Sequence, residues 1–189
     1  ENIKYTHRYS LYGEELEHVF NEKDLGVMID MELVFEDHIS AKIKKANGIM
    51  GLIRRTFSYL DGETFKRLYT TFVRPHVEYA QSVWSPHLRK HIKQLENVQI
   101  RATKLIDGMK DLNYSERLKK MNLPTLLYRR KRGDMIQVWK HFNSYDRCTL
   151  SNNFQHNPRP NRRHDRQLIW HWPKDGLHGL QANSFYFRT

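Results

Sequence analysis

An apolar stripe at Ile39, Ile43, Ala46, Met50, Ile53 and Phe57 constrains this chain more than any other feature. Steps of four and three residues keep side chains on one face of an α-helix, so the spacing predicts roughly five turns with one buried face. The other faces carry Lys42, Lys44, Lys45, Arg54 and Arg55. Such a helix needs partners to cover its stripe, and the sequence downstream supplies them.

A second helix is expected from Asp61, whose carboxylate suits the free N–H groups of a first turn, through Phe65, Leu68 and Phe72. Pro75 predicts a kink or an end near Arg74, because it lacks an N–H and crowds the preceding turn. The apolar stretch 77–84 fits a core, and Ser85-Pro86 stops it. A third helix over 88–106 turns Leu88, Ile92, Leu95, Ala102 and Leu105 inward, with Gly108 as its C-cap. Ser115 and Glu116 open a short fourth helix containing Leu118 and Met121. Leu123-Pro124-Thr125 then resets the chain into a fifth over 126–142, whose first half holds Arg129-Arg130-Lys131-Arg132.

Ahead of the stripe the pattern is that of β-structure. Tyr12-Gly13 reads as a turn between segments 4–11 and 16–20, and 25–29 as a third strand whose apolar run predicts burial on both faces. Past Asn143 the regularity fades: 151–166 is rich in Asn, Pro, Arg and His and favours loop, and 167–189 is expected to be an irregular docking tail. The fold class expected is therefore mostly α. It comprises a small antiparallel β-unit (1–34), a basic helical domain (35–145) and the tail (146–189).

Charge divides along the same lines. The 189 residues hold 32 Lys+Arg against 21 Asp+Glu, a net of +11. Residues 1–35 hold 3 basic and 8 acidic residues, 36–150 hold 23 and 11, and 151–189 hold 6 and 2, for nets of −5, +12 and +4. The middle section is the part suited to a polyanion, with nucleic acid ahead of an anionic membrane surface. No apolar run approaches the ~20 residues of a membrane span. The lone cysteine, Cys148, excludes an internal disulfide and four-thiolate zinc sites, which fits a reducing, intracellular setting in nucleus or cytoplasm. The chain opens on Glu1-Asn2 without an initiator Met, which leads us to expect a piece of a longer polypeptide.

No catalytic constellation is present in the sequence. It contains no GxxxxGK[ST] or GxGxxG phosphate loop, no HExxH helix and no GxSxG elbow. It also lacks adjacent aspartates of the kind that hold two metal ions about 4 Å apart. Asp24, Asp30 and Asp37 fit caps, turns and solvated faces better than a metal centre. His156, His164, His171 and His178, with Cys148 upstream, are spaced by eight, seven and seven and do not share a helix face. Neither a catalytic residue nor a metal ligand is assigned. Base readout is not visible either, so recognition of a backbone is expected, with Tyr69, Tyr79 and Trp84 mostly in the core.

Several ordered blocks carry a resemblance. They are Glu22-Lys23-Asp24-Leu25-Gly26-Val27 with Ile29-Asp30, Lys45-Ala46-Asn47, Gly51-Leu52-Ile53-Arg54, and Val73-Arg74-Pro75-His76-Val77-Glu78-Tyr79-Ala80. Val83-Trp84-Ser85-Pro86, Leu95-Glu96-Asn97-Val98-Gln99, Arg101-Ala102-Thr103-Lys104, Leu123-Pro124-Thr125-Leu126 and Arg132-Gly133-Asp134-Met135 continue it. Over nearly the whole chain the sequence resembles the part downstream of the polymerase palm in reverse transcriptases (RNA-directed DNA polymerases) of non-LTR, LINE-type retrotransposons. The resemblance implies a primer-grip hairpin with Leu25, Gly26 and Val27 at its centre, a helical thumb, and a post-thumb tail.

It also implies that the palm aspartates and their magnesium ions lie outside this chain, which would hold no cofactor and polymerise nothing alone. The partners expected are RNA, DNA or an RNA–DNA hybrid, together with the rest of the polymerase. Contacts to the nucleic-acid backbone are expected from Lys42, Lys44, Lys45, Arg54, Arg55, Arg74, Arg101, Lys104, Arg129 and Arg130. The alternative is a non-catalytic interaction or self-association module derived from such an element.

Overall fold

The apolar stripe forms helix α1 (Glu36–Thr56), which buries His38, Ile39, Ala46, Met50 and Ile53. The computed structural model describes residues 8–143, 155–157 and 168–169. Two antiparallel hairpins precede α1. Strands β1 (Ser10–Leu11) and β2 (Glu14–Glu15) flank the expected Tyr12-Gly13 turn, and β3 (Asn21–Asp24) pairs with β4 (Val27–Asp30) in the register Asp24↔Val27. That register corrects the sequence reading: Leu25 and Gly26 form the turn instead of starting a strand, 16–20 is not a strand, and Asn21–Asp24 is one. Burial on both faces also fails for β4, where Val27 alone is fully buried.

The approach to α1 is held by Asp30, whose carboxylate accepts from the N–H groups of Val34 (3.0 Å) and Phe35 (2.5 Å). Asp61 caps α2 (Gly62–Leu68) as expected, accepting from the N–H groups of Glu63 and Thr64. The helix does not end at Pro75. A π-helical turn (Tyr69–Val73) joins α2 to α3 (Arg74–Glu78), with Pro75 in the first turn of α3, where a missing N–H costs least.

The π turn explains an unusual stripe. Phe65, Tyr69, Val73 and Val77 are all at most 1% exposed although they are four residues apart each time. In a straight α-helix every such step drifts about 40° around the axis, and a wider turn offsets that drift. Phe72, expected to face inward, is 54% exposed as a result.

Helix α4 (Gln81–Trp84) follows, with Trp84 fully buried and its indole N–H donating to the Tyr79 carbonyl at 2.5 Å. Tyr79 and Val83 are exposed, so only part of the 77–84 run reaches the core. Helix α5 (Arg89–Thr103) buries Leu95, Val98 and Ala102; it ends at Lys104, and Gly108 belongs to a later turn at φ +74°. Leu88, expected to face inward, precedes α5 as its N-cap and is exposed.

Helix α6 (Tyr114–Met121) opens on a capping box of Asn113 and Glu116, and α7 (Leu126–Phe142) opens on Thr125. Gly133 lets α7 approach α4, since a β-carbon there would sit 1.9 Å from the Gln81 amide nitrogen. One core runs from Val27 and Phe35 through α1, α2, α3 and α5 to Leu126, so the fold is mostly α with a small β-unit at its start.

In the tail, β5 (Gln155–His156) pairs with β6 (Leu168–Ile169) where loop and irregular structure were expected. The rest of the expected tail, with Cys148, His164, His171 and His178, lies outside the described residues. Among the described residues no helix is long and apolar enough to cross a membrane.

Candidate nucleic-acid interface

Three hydrogen bonds near its turn fix the β3–β4 hairpin to the helices. The Lys42 ammonium donates to the Gly26 carbonyl (3.2 Å) and sits 5.9 Å from the centre of the Tyr79 ring. The Tyr79 hydroxyl donates to the Leu25 carbonyl (2.9 Å), and the Met28 N–H donates to Nδ1 of His38 (3.1 Å). The turn has positive φ at both positions, +44° at Leu25 and +84° at Gly26. Glycine adopts this conformation freely, whereas leucine pays roughly 1–2 kcal/mol. Leu25 is also 83% exposed, so neither its backbone nor its side chain serves the core. Val27, the third residue of the expected grip, is 4% exposed and acts as the hairpin's anchor.

Around this turn the fold gathers positive charge from three elements. Burial, then Lys45 and Lys23, hold the Lys42 ammonium below its usual range, and burial, then Lys45 and Lys42, lower His76. Like charges depress one another in this way only when they are close. Lys23 of β3 and Lys42 and Lys45 of α1 therefore form one basic patch, with His76 of α3, held mainly neutral, beside it. Lys23 and His76 were not among the expected contacts. Sequence spacing could not supply them, because they meet α1 only through tertiary packing.

Apart from Lys42 and Lys45, the expected residues fall into three sets, with Arg101 standing alone. Lys44 and Arg55 are exposed on the outer face of α1, in line with Gly48 and Gly51 at helical spacing. A β-carbon at either glycine would meet nothing within 4 Å. Arg54 and Lys104 meet in a groove of about 630 Å³ between the end of α1 and the chain following α5, where Lys110 joins them. Arg101 is exposed on α5 and donates to its own helix at the Asn97 carbonyl.

Arg74, Arg129 and Arg130 form the third set, and the structure corrects their expected role. Glu78 takes both Arg129 nitrogens, with the second at 2.8 Å, and lies 3.6 Å from Arg74. Arg130 is 2% exposed, and burial lowers its affinity for a proton. Arg130 is committed to the interior where α7 packs against α4 and α5, while Arg74 and Arg129, half-buried, are engaged by Glu78. Sequence alone shows a run of four cations and not which of them faces inward.

Several other polar groups inside the fold bond to one another. Tyr69 donates to the Gln99 side-chain oxygen (2.8 Å), and the Gln99 amide donates to the Tyr114 hydroxyl (3.0 Å) and to the Pro124 carbonyl (2.9 Å). Tyr114 donates to Glu96, which also accepts from the Leu126 and Leu127 N–H groups at the start of α7. Arg117 is buried and donates to Thr103 (3.0 Å) and to the Leu112 carbonyl. Asp30 holds backbone, and Asp37 accepts from Asn21 at 3.3 Å. Among the described residues no three His, Cys, Asp or Glu side chains come together as a metal site.

Comparison of the chain with family models, with curated proteins and with solved structures finds no match. The functional reading rests on the residues and their arrangement.

Proposed function

We propose that this chain is the gripping part of a non-LTR retrotransposon reverse transcriptase, holding a template–primer duplex by its backbone while the catalytic carboxylates and their magnesium ions belong to the palm. The observation that carries the reading is the Lys42 ammonium held 3.2 Å from the Gly26 carbonyl at the Leu25-Gly26 turn, with Lys23 and Lys45 close enough to depress it and the weakly basic His76 beside them. Gathering like charges costs stability, and an anionic partner offsets that cost. The outer face of α1 continues the surface. Two glycines within a helix each cost about 1 kcal/mol relative to alanine, and between Lys44 and Arg55 they leave a smooth face that a sugar–phosphate backbone can approach closely. RNA, DNA and an RNA–DNA hybrid all present such a backbone.

Titrating a labelled RNA–DNA hybrid with the full chain at stepped salt concentrations tests this. Binding is expected to be tight at low salt and to fall by orders of magnitude as salt rises. Negligible affinity at low salt would reject the proposal. A second reading is favoured by one observation: Leu16, Phe20, Leu25, Met31 and Leu33 are exposed around the hairpins. These side chains fit a protein partner such as the palm, or a second copy of the chain. Light scattering separates the two, because apolar association persists in high salt where phosphate binding fades.

A further inference from the structure

We propose that the groove at the C-terminal end of α1 is a separate site for single-stranded nucleic acid, stacking an unpaired base on Phe57 and holding its flanking phosphates with Arg54, Lys104 and Lys110. The inference rests on the reading that the chain binds nucleic acid, and adds a strand type and a place. Phe57 continues the apolar stripe of α1 in sequence, but the chain leaves the helix there in an extended conformation (φ −108°, ψ 118°). Phe57 is consequently 37% exposed and lines the groove instead of joining the core. Leu60, which is buried, and Leu105, which is half-buried, supply an apolar floor.

The three cations reach the groove from separate segments: the last turn of α1, the residue after α5, and the connection to α6. Arg54 can serve the α1 dipole and Lys104, the C-cap of α5, that of α5, but Lys110 lies at no helix C-terminus and has no such task. Asp107 is the acid in the lining. Its carboxylate accepts from the Leu60 N–H (2.8 Å), and its own N–H donates to the Leu60 carbonyl (3.3 Å). This reciprocal pair fastens the groove walls together. Three cations against that carboxylate leave the groove net positive. At about 630 Å³ it lies within the range of pockets that enclose a small ligand. A duplex keeps the faces of its bases stacked inside, so the combination of an open aromatic ring and surrounding cations selects an unpaired nucleotide.

Three probes test the proposal with the full chain: a blunt hybrid duplex, the same duplex with a short thymidine overhang, and the free thymidine oligonucleotide. The overhang is expected to bind about tenfold tighter than the blunt duplex, the effect of one stacked base. Phe57→Leu keeps an apolar side chain, so it should lose that factor and most binding of the free oligonucleotide while blunt-duplex affinity stays the same. Lys110→Glu, at an exposed position, should weaken both single-stranded probes without affecting folding. Equal affinity for blunt and overhanging probes, or a preference that survives Phe57→Leu, would overturn the proposal. Loss of blunt-duplex binding alone would count against the duplex grip, since the free oligonucleotide reports on the groove independently.

Discussion

His38 shows how one residue ties the β-unit to the helices. It is 2% exposed, its ring lies 5.1 Å from that of Trp84, and its Nδ1 accepts from the Met28 N–H, which requires the neutral imidazole. Burial, with a smaller contribution from Lys42, lowers its pKa from 6.5 to about 4. A group with a lowered basic pKa stabilises the fold fully above its unfolded value, and that contribution is lost as pH falls from about 6.5 towards 4. On the order of 3 kcal/mol is at stake. Urea midpoints measured between neutral and acid pH should drop across this window and drop less in His38→Asn, which keeps an acceptor near Nδ1; equal slopes would contradict the assignment. Tyr69→Phe should cost about 1–3 kcal/mol in the same experiment, because it leaves the buried Gln99 oxygen without its donor. Neither role is visible in the sequence: Tyr69 reads there only as core, and nothing local marks His38 as a partner of Met28.

Among the elements, α1, α2 and α7 were legible because their stripes and caps are local, the four-and-three spacing, Asp61 and Thr125 acting within one or two turns, whereas α6 was expected to open at Ser115 and is in fact capped two residues earlier by Asn113. The π turn was not legible, since a proline in a helical pattern normally marks an end and the widened turn before Pro75 has no sequence signature. The hairpin register was missed for another reason. An apolar Leu25 within an apolar run looks like strand, and only pairing with Asn21–Asp24 places it in the turn. That placement yields a prediction. Gly26→Ala puts a β-carbon in ordinary contact, 3.6 Å from the Tyr79 ring, so its cost is the positive φ and not a clash. A loss of about 1–2 kcal/mol is expected, confined to the hairpin. Amide exchange should accelerate in β3 and β4 and stay unchanged in α5. Uniform exchange across both would show that the turn is not the strained point.

Across the whole molecule, the charge division of the sequence and the folded surface point to the same region but to different residues. Of the ten basic positions expected at a backbone, Arg130 is buried and Arg74 and Arg129 are engaged by Glu78, while Lys23, His76 and Lys110 lie beside the others from segments that sequence spacing could not connect. The patch also carries a linkage consequence. Burial, and after it Lys45 and Lys42, hold His76 below its usual pKa, and a phosphate placed beside the two lysines should raise it. The hybrid should accordingly bind more tightly as pH falls, and the His76 resonances should titrate at higher pH in the complex than in the free chain. Titration at the same pH in both would place the phosphates elsewhere.

The grip itself is tested most directly by the salt dependence of hybrid binding in the wild type and in Lys44→Ala/Arg55→Ala. Each phosphate contact contributes about −0.9 to the slope of log K against log salt, so removing two should make the slope shallower by roughly 1.8. An unchanged slope in the double variant, or no binding by the wild type at low salt, would contradict the account.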